Sequence, residues 1–124
     1  MKIVSTVLFG LGAVNTGLLK ILASKRDELR KKFDLEFKIT GVADSSGVAI
    51  NAEGFGYDEL INLKKSKGKV SSLNCFDRQI GIIDLTDLAA ADLLIESSPG
   101  NLQDGNPGLS LVKKALQKGC LVVL

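Results

Sequence analysis

Three glycines near the amino terminus carry the first chemistry in this chain. Gly10-Leu11-Gly12-Ala13-Val14-Asn15-Thr16-Gly17 follows the apolar run Lys2 to Phe9 and precedes Leu18-Leu19-Lys20-Ile21-Leu22. The order predicts a buried strand, a tight turn and a helix. Gly10 lets the chain leave the strand sharply. Gly12 has no side chain, so an anionic group can approach the backbone. The helix then presents its unpaired N–H groups and the positive end of its dipole to that anion. The chemistry expected is pyrophosphate binding, as in dinucleotide folds. The third glycine of that pattern belongs at position 15, where this chain has Asn15, and Gly17 comes two residues later. The same spacing also suits an ordinary strand-to-helix turn.

A second candidate is Asp44, at the carboxyl end of the strand Leu35 to Ala43 and ahead of Ser45-Ser46-Gly47. An acidic residue at that place in a dinucleotide fold hydrogen-bonds the adenosine ribose. Asp44 lies 32 positions after Gly12, against a usual spacing of about 20. A first helix running from about Gly12 to about Lys32 accounts for the excess. The alternative is a turn or helix cap, a place that Asp fills readily. A third polar cluster, Glu96-Ser97-Ser98-Pro99-Gly100-Asn101, follows the short strand Leu93 to Ile95, at the end of a strand where open α/β sheets bind ligands.

These groups need elements to hold them. Val14, Leu18, Ile21, Leu22 and Leu29 recur at helical spacing in the first helix, and its far end is basic. Residues 48 to 56 read as a loop, Tyr57 to Lys65 as a short helix, residues 70 to 83 as a mixture, and Asp84 to Ala90 as a further short helix. Asn106-Pro107 opens a helix that Gly119 stops. Cys120 to Leu124 is a buried type of strand. Alternating strands and helices predict a single α/β domain over residues 1–124: a Rossmann-type doubly wound parallel sheet of about four strands, in the order 3-2-1-4. With an apolar strand at the end of the sequence and a mean hydropathy of +0.21 over the whole chain, the chain reads as a fragment whose covering partner lies outside it.

Composition narrows the function. Sixteen basic and 14 acidic side chains give a net charge of +2, which calls for neither nucleic acid nor an anionic membrane. There is no histidine, and the two cysteines, Cys75 and Cys120, form no CxxC pair. A structural zinc site is therefore not expected, and histidine-based acid–base or nucleophilic catalysis is excluded within these residues. Two isolated cysteines, the absence of a signal segment and the lack of an apolar run of about 18 residues point to a reducing, cytoplasmic setting.

Three stretches together, Gly10-Leu11-Gly12-Ala13-Val14 with Gly17-Leu18-Leu19, Gly41-Val42-Ala43-Asp44-Ser45-Ser46-Gly47, and Asn101-Leu102-Gln103-Asp104-Gly105-Asn106-Pro107-Gly108-Leu109-Ser110, resemble the amino-terminal nucleotide-binding domain of homoserine dehydrogenase. Asp58 to Lys64, closing at Gly68-Lys69, is similar to that family's second helix. The resemblance implies an oxidoreductase that interconverts L-homoserine and aspartate 4-semialdehyde with NAD or NADP, in threonine and methionine biosynthesis. It implies that Gly10, Gly12, Ala13 and Val14 hold the pyrophosphate, and that Asp44 and Ser45 lie by the adenosine ribose. Lys64 would meet a 2′-phosphate, and Ser97, Ser98 and Pro99 would lie beside the nicotinamide ribose. It places the catalytic lysine after the strand Leu121 to Leu124, beyond the last residue here, so no catalytic residue and no metal site is expected among these positions. The small-molecule substrate and a homodimer contact would then belong to the full-length enzyme. Two other readings stay open: a stand-alone nucleotide-binding module, and the amino-terminal domain of another amino-acid-pathway dehydrogenase.

Overall fold

The computed structural model describes residues 1–98 and 108–124. Pro99, and the stretch Asn101 to Pro107 in which the sequence opens a helix, lie outside the described residues. In chain order the elements are β1 (Lys2–Phe9), α1 (Ala13–Phe33), β2 (Leu35–Asp44), β3 (Gly47–Phe55), α2 (Tyr57–Lys65), β4 (Phe76–Asp77), α3 (Leu85–Leu88), β5 (Leu93–Glu96), α4 (Gly108–Gln117) and β6 (Leu121–Val123). They form one six-stranded sheet in the order β4-β3-β2-β1-β5-β6.

β1 is buried on both faces from Thr6 to Phe9 and is apolar there except at Thr6. It pairs in parallel with β2 on one side and β5 on the other, and β5 pairs in parallel with β6. Alternate residues of the strands feed two cores. Leu8, Ile39, Val42 and Ala49 meet Leu19 of α1 and Leu60 and Ile61 of α2. Val7, Phe9, Ala43, Val48 and Leu94 meet Leu85 of α3 and Leu111 and Ala115 of α4. Helices thus cover both faces, as a doubly wound sheet requires. This is the Rossmann-type α/β fold.

The details correct the sequence reading in three places. Residues 48 to 56 are not a loop. They form β3, antiparallel to β2 across a two-residue connection, with Asp44 opposite Gly47. Gly47 has φ +139°, and a Cβ there would lie 2.5 Å from Phe76. The hairpin, with the short β4 beyond it, takes the place outside β2. The strand at Leu93 therefore pairs with β1 instead, so the order 3-2-1-4 does not hold. The buried stripe of α1 is Asn15, Leu19 and Leu22, while Val14 is 70% and Ile21 58% exposed. Residues 70 to 83 hold single 3-10 turns at Val70–Ser72 and Ile82–Asp84 either side of β4.

An ion-pair cluster ties α1 to the opposite end of the sheet. Arg26 Nε donates to Glu36 Oε1 at 2.6 Å and Arg30 Nη2 to the same oxygen at 2.5 Å. Burial raises the Glu36 pKa, but the two guanidinium donors outweigh it and hold the carboxyl below its ordinary value. The unfolded chain therefore takes up this proton first on acidification. The stabilisation is complete above the ordinary carboxylate range and is lost as the pH falls through the lowered folded value. Glu36→Gln should lower the thermal midpoint near neutral pH and flatten the acid limb of its pH dependence. Thermal unfolding followed by circular dichroism between about pH 7 and about pH 3 checks this.

Candidate nucleotide-binding site

The carboxyl ends of β1, β2 and β5 converge on Gly10. Its N–H donates to the Ala43 carbonyl at 2.7 Å, and the Ser97 N–H donates to the Phe9 carbonyl at 2.9 Å. Gly10 has φ +95°, and a Cβ on it would stand 2.9 Å from the Ser98 nitrogen. Any other residue is excluded twice, by backbone conformation and by contact. The crevice beside Gly10 is the switch point of the sheet. From β1 the chain winds through α1 on one face, and from β5 through α4 on the other, and such crevices are where open α/β sheets take ligands.

Gly12 caps α1 with extended geometry, no side-chain cap and no acidic residue in the first turn. The first N–H groups of a helix have no carbonyl partner within it. Here they belong to Gly12, Ala13, Val14 and Asn15, the first three exposed and Asn15 buried. A Cβ on Gly12 would meet nothing within 4 Å. Free donors, a positive dipole end and open space in front of them fit an anionic diphosphate. The predicted residues Gly10, Gly12, Ala13 and Val14 are thus brought together.

Asp44 sits at the end of β2 as expected, but its carboxylate is already used. Oδ1 accepts from the Ser46 N–H at 2.7 Å and from the Ser46 hydroxyl at 2.5 Å, and Oδ2 accepts from the Val70 N–H at 2.9 Å. The turn-forming role is therefore real. Ser45 is exposed at the tip of the hairpin. Lys64, in the last turn of α2, is half-buried, and its ammonium makes no ion pair among the described residues.

At the β5 end, the Ser98 N–H donates to Glu96 Oε1 at 2.6 Å, and its hydroxyl donates to the same oxygen. The Ser97 hydroxyl is buried without a partner among the described residues. Glu96 heads the polar cluster at the end of β5, without a predicted role of its own. Its carboxylate lies against the start of α4, 3.2 Å from where a Gly108 Cβ would be, a favourable place for a negative charge. Only its position at a strand end marks it in the sequence. Asn15 was noted only as a departure from the glycine pattern. It is fully buried, and its Nδ2 donates to the Gly10 carbonyl at 2.7 Å. Its Oδ1 has no partner among the described residues, a cost of about 1–3 kcal/mol.

A polar cleft of about 360 Å³ opens at the other end of the strands, lined by Arg26, Glu36, Lys38 and Tyr57 among others. Of its polar groups, Glu36 and Arg26 are engaged in ion pairs and the Tyr57 hydroxyl donates to the Phe37 carbonyl. No helix among the described residues is long and apolar enough to cross a membrane.

No protein-family model matches the chain. It is 35% identical over 101 residues to the homoserine dehydrogenase of Methanocaldococcus jannaschii, covering 82% of this chain and 30% of that protein. It is 30% identical over 122 residues to the NAD(+)-dependent homoserine dehydrogenase of Pseudomonas canavaninivorans, covering 94% of this chain and 33% of that one. Its relatives are homoserine dehydrogenases. The crystal structure of homoserine dehydrogenase from Thermoplasma acidophilum superposes with a TM-score of 0.73 at 31% identity, covering 98% of this chain and 34% of that chain. The chain spans about a third of the length of the homoserine dehydrogenases it matches.

The two glycines of the turn should respond differently to a methyl group. Gly10→Ala should cost about 1–3 kcal/mol, the scale of a strained backbone position. Gly12→Ala should cost at most about 1 kcal/mol, the loss of a glycine at a helix cap without any clash. Urea unfolding of both variants beside the parent measures the difference.

Proposed function

We propose that this chain is the NAD(P)-binding domain of a homoserine dehydrogenase, the enzyme that interconverts L-homoserine and aspartate 4-semialdehyde in threonine and methionine biosynthesis. The observation that carries the reading is the start of α1: uncapped, free of acidic residues, and open in front of Gly12. Gly12, Ala13 and Val14 hold the pyrophosphate through backbone N–H groups, and Gly10, whose own N–H is taken by Ala43, turns the chain so that it can approach. Asp44 and Ser45 meet the adenosine ribose. Lys64 meets a 2′-phosphate where one is present. Ser97, Ser98 and Pro99 lie by the nicotinamide ribose. The bound nicotinamide supplies the hydride chemistry, and the protein's share is to bind and orient it. The small-molecule substrate, the catalytic lysine and the contact that makes a homodimer belong to the remainder of such an enzyme, which acts in the cytoplasm. On this reading the 124 residues bind cofactor and do not turn over substrate.

The test is a fluorescence titration of the chain with NADPH and with NADH, beside Gly12→Val. The parent should bind saturably. The valine variant should stay folded, since it has room, and lose affinity by roughly two orders of magnitude, about 2.8 kcal/mol. A folded parent that binds neither cofactor overturns the proposal. Cofactor choice is read in the same assay. Lys64→Ala combined with Lys65→Ala should weaken NADPH more than NADH, and an unchanged ratio removes the lysines from the site.

A further inference from the structure

Asn15 stands where the glycine pattern closes, in the third residue of α1. A glycine there serves by taking no room. Asn15 takes room and is nevertheless wholly buried, with its side-chain nitrogen 2.7 Å from the Gly10 carbonyl oxygen. That oxygen can only accept, so the nitrogen end of the amide must face it. Both backbone polar groups of Gly10 are then fixed, the N–H by Ala43 of β2 and the carbonyl by Asn15 of α1. The next residue adds to the same pattern. The Thr16 hydroxyl donates to the Gly12 carbonyl at 2.8 Å and lies 3.4 Å from the Leu11 carbonyl. Side chains of two adjacent helical residues thus engage the carbonyl oxygens of all three turn residues. Among the described residues the free polarity left is that of the N–H groups after Gly10, since the N–H of Gly10 is taken by Ala43.

We propose that Asn15 is a positioning residue for the dinucleotide: its side-chain amide holds the Gly10 carbonyl back from the pyrophosphate and fixes the turn before the ligand arrives. The inference rests on the reading that the dinucleotide binds at this turn. A carbonyl dipole swung toward the ligand would repel it, and a turn that must be ordered on binding would spend affinity on that ordering. Asn15 removes both costs with one hydrogen bond, where a glycine would rely on close packing alone.

The test uses Asn15→Gly, which restores the expected glycine, and Asn15→Asp, which keeps the shape but removes the donor when ionised. NADPH and NADH affinities are measured for both beside the parent, across a range of pH. Asn15→Gly should bind about tenfold more weakly, the worth of one buried hydrogen bond. Asn15→Asp should bind more weakly still at neutral pH and recover relative to the parent on acidification, because a protonated carboxyl can again donate to Gly10. Asn15→Gly should show no such recovery. In the parent, the Asn15 side-chain amide protons should exchange with solvent far more slowly than those of exposed asparagines in nitrogen-15 NMR spectra. This measurement needs no variant to fold. A glycine variant that binds as tightly as the parent, or a fast-exchanging Asn15 amide in a parent that binds, overturns the inference alone. A folded parent that binds neither cofactor overturns the functional reading and this inference together.

Discussion

The close approach of Gly10 to the backbone of Ser97 and Ser98 is the constraint on which the site depends. β1 is hydrogen-bonded on both sides, so its carboxyl end cannot move without disturbing β2 and β5. The chain must leave that end in a left-handed conformation, with 2.9 Å between a would-be Cβ and the neighbouring nitrogen. Only glycine meets that requirement. Once it is met, the start of α1 is aimed at the mouth of the crevice and the tips of three strands are drawn together. The hydrophobic cores on the two faces supply the driving force, but they act through this one passing place.

Charge is distributed to suit an anion at that mouth. α1 carries no acidic residue in its first turn and Arg30, Lys31 and Lys32 in its last, so the amino-terminal end keeps its positive potential and the carboxyl-terminal end is compensated. The acidic groups nearest the crevice are not bare. Glu96 is held by Ser98 and by the start of α4, and Asp44 receives donors from Ser46 and Val70. Carboxylates whose charge is shared with donors can stand beside a ligand phosphate at less cost than free ones.

The amino-terminal third of the molecule was legible because each element announces itself. β1 is a continuous apolar run, Gly10 and Gly12 punctuate it, and the helix that follows keeps its period. The errors have physical origins. Residues 48 to 56 read as a loop because glycines stand at 47, 54 and 56, although Val48-Ala49-Ile50 is an apolar run and Val48 and Ala49 are buried. A hairpin in place of a crossover then changed the order of the sheet, since its strand occupies the place given to the strand at Leu93. The α1 stripe was misplaced because Asn15, a polar residue, is its innermost member. Apolar periodicity cannot see a buried amide, so the count slid to Val14 and Ile21, which face outward.

That same misreading bears on how the glycine pattern should be used. Its third position is defined by the need for helix and strand to come close. Glycine meets that need by absence. An asparagine meets it when its amide replaces a gap with a bond of the right length, and the buried oxygen left without a partner is the cost of that solution. The requirement at position 15 is therefore geometric rather than compositional: whatever stands there must leave the Gly10 turn closed and its N–H groups facing outward. A pattern written in residue letters records only the commoner way of satisfying it.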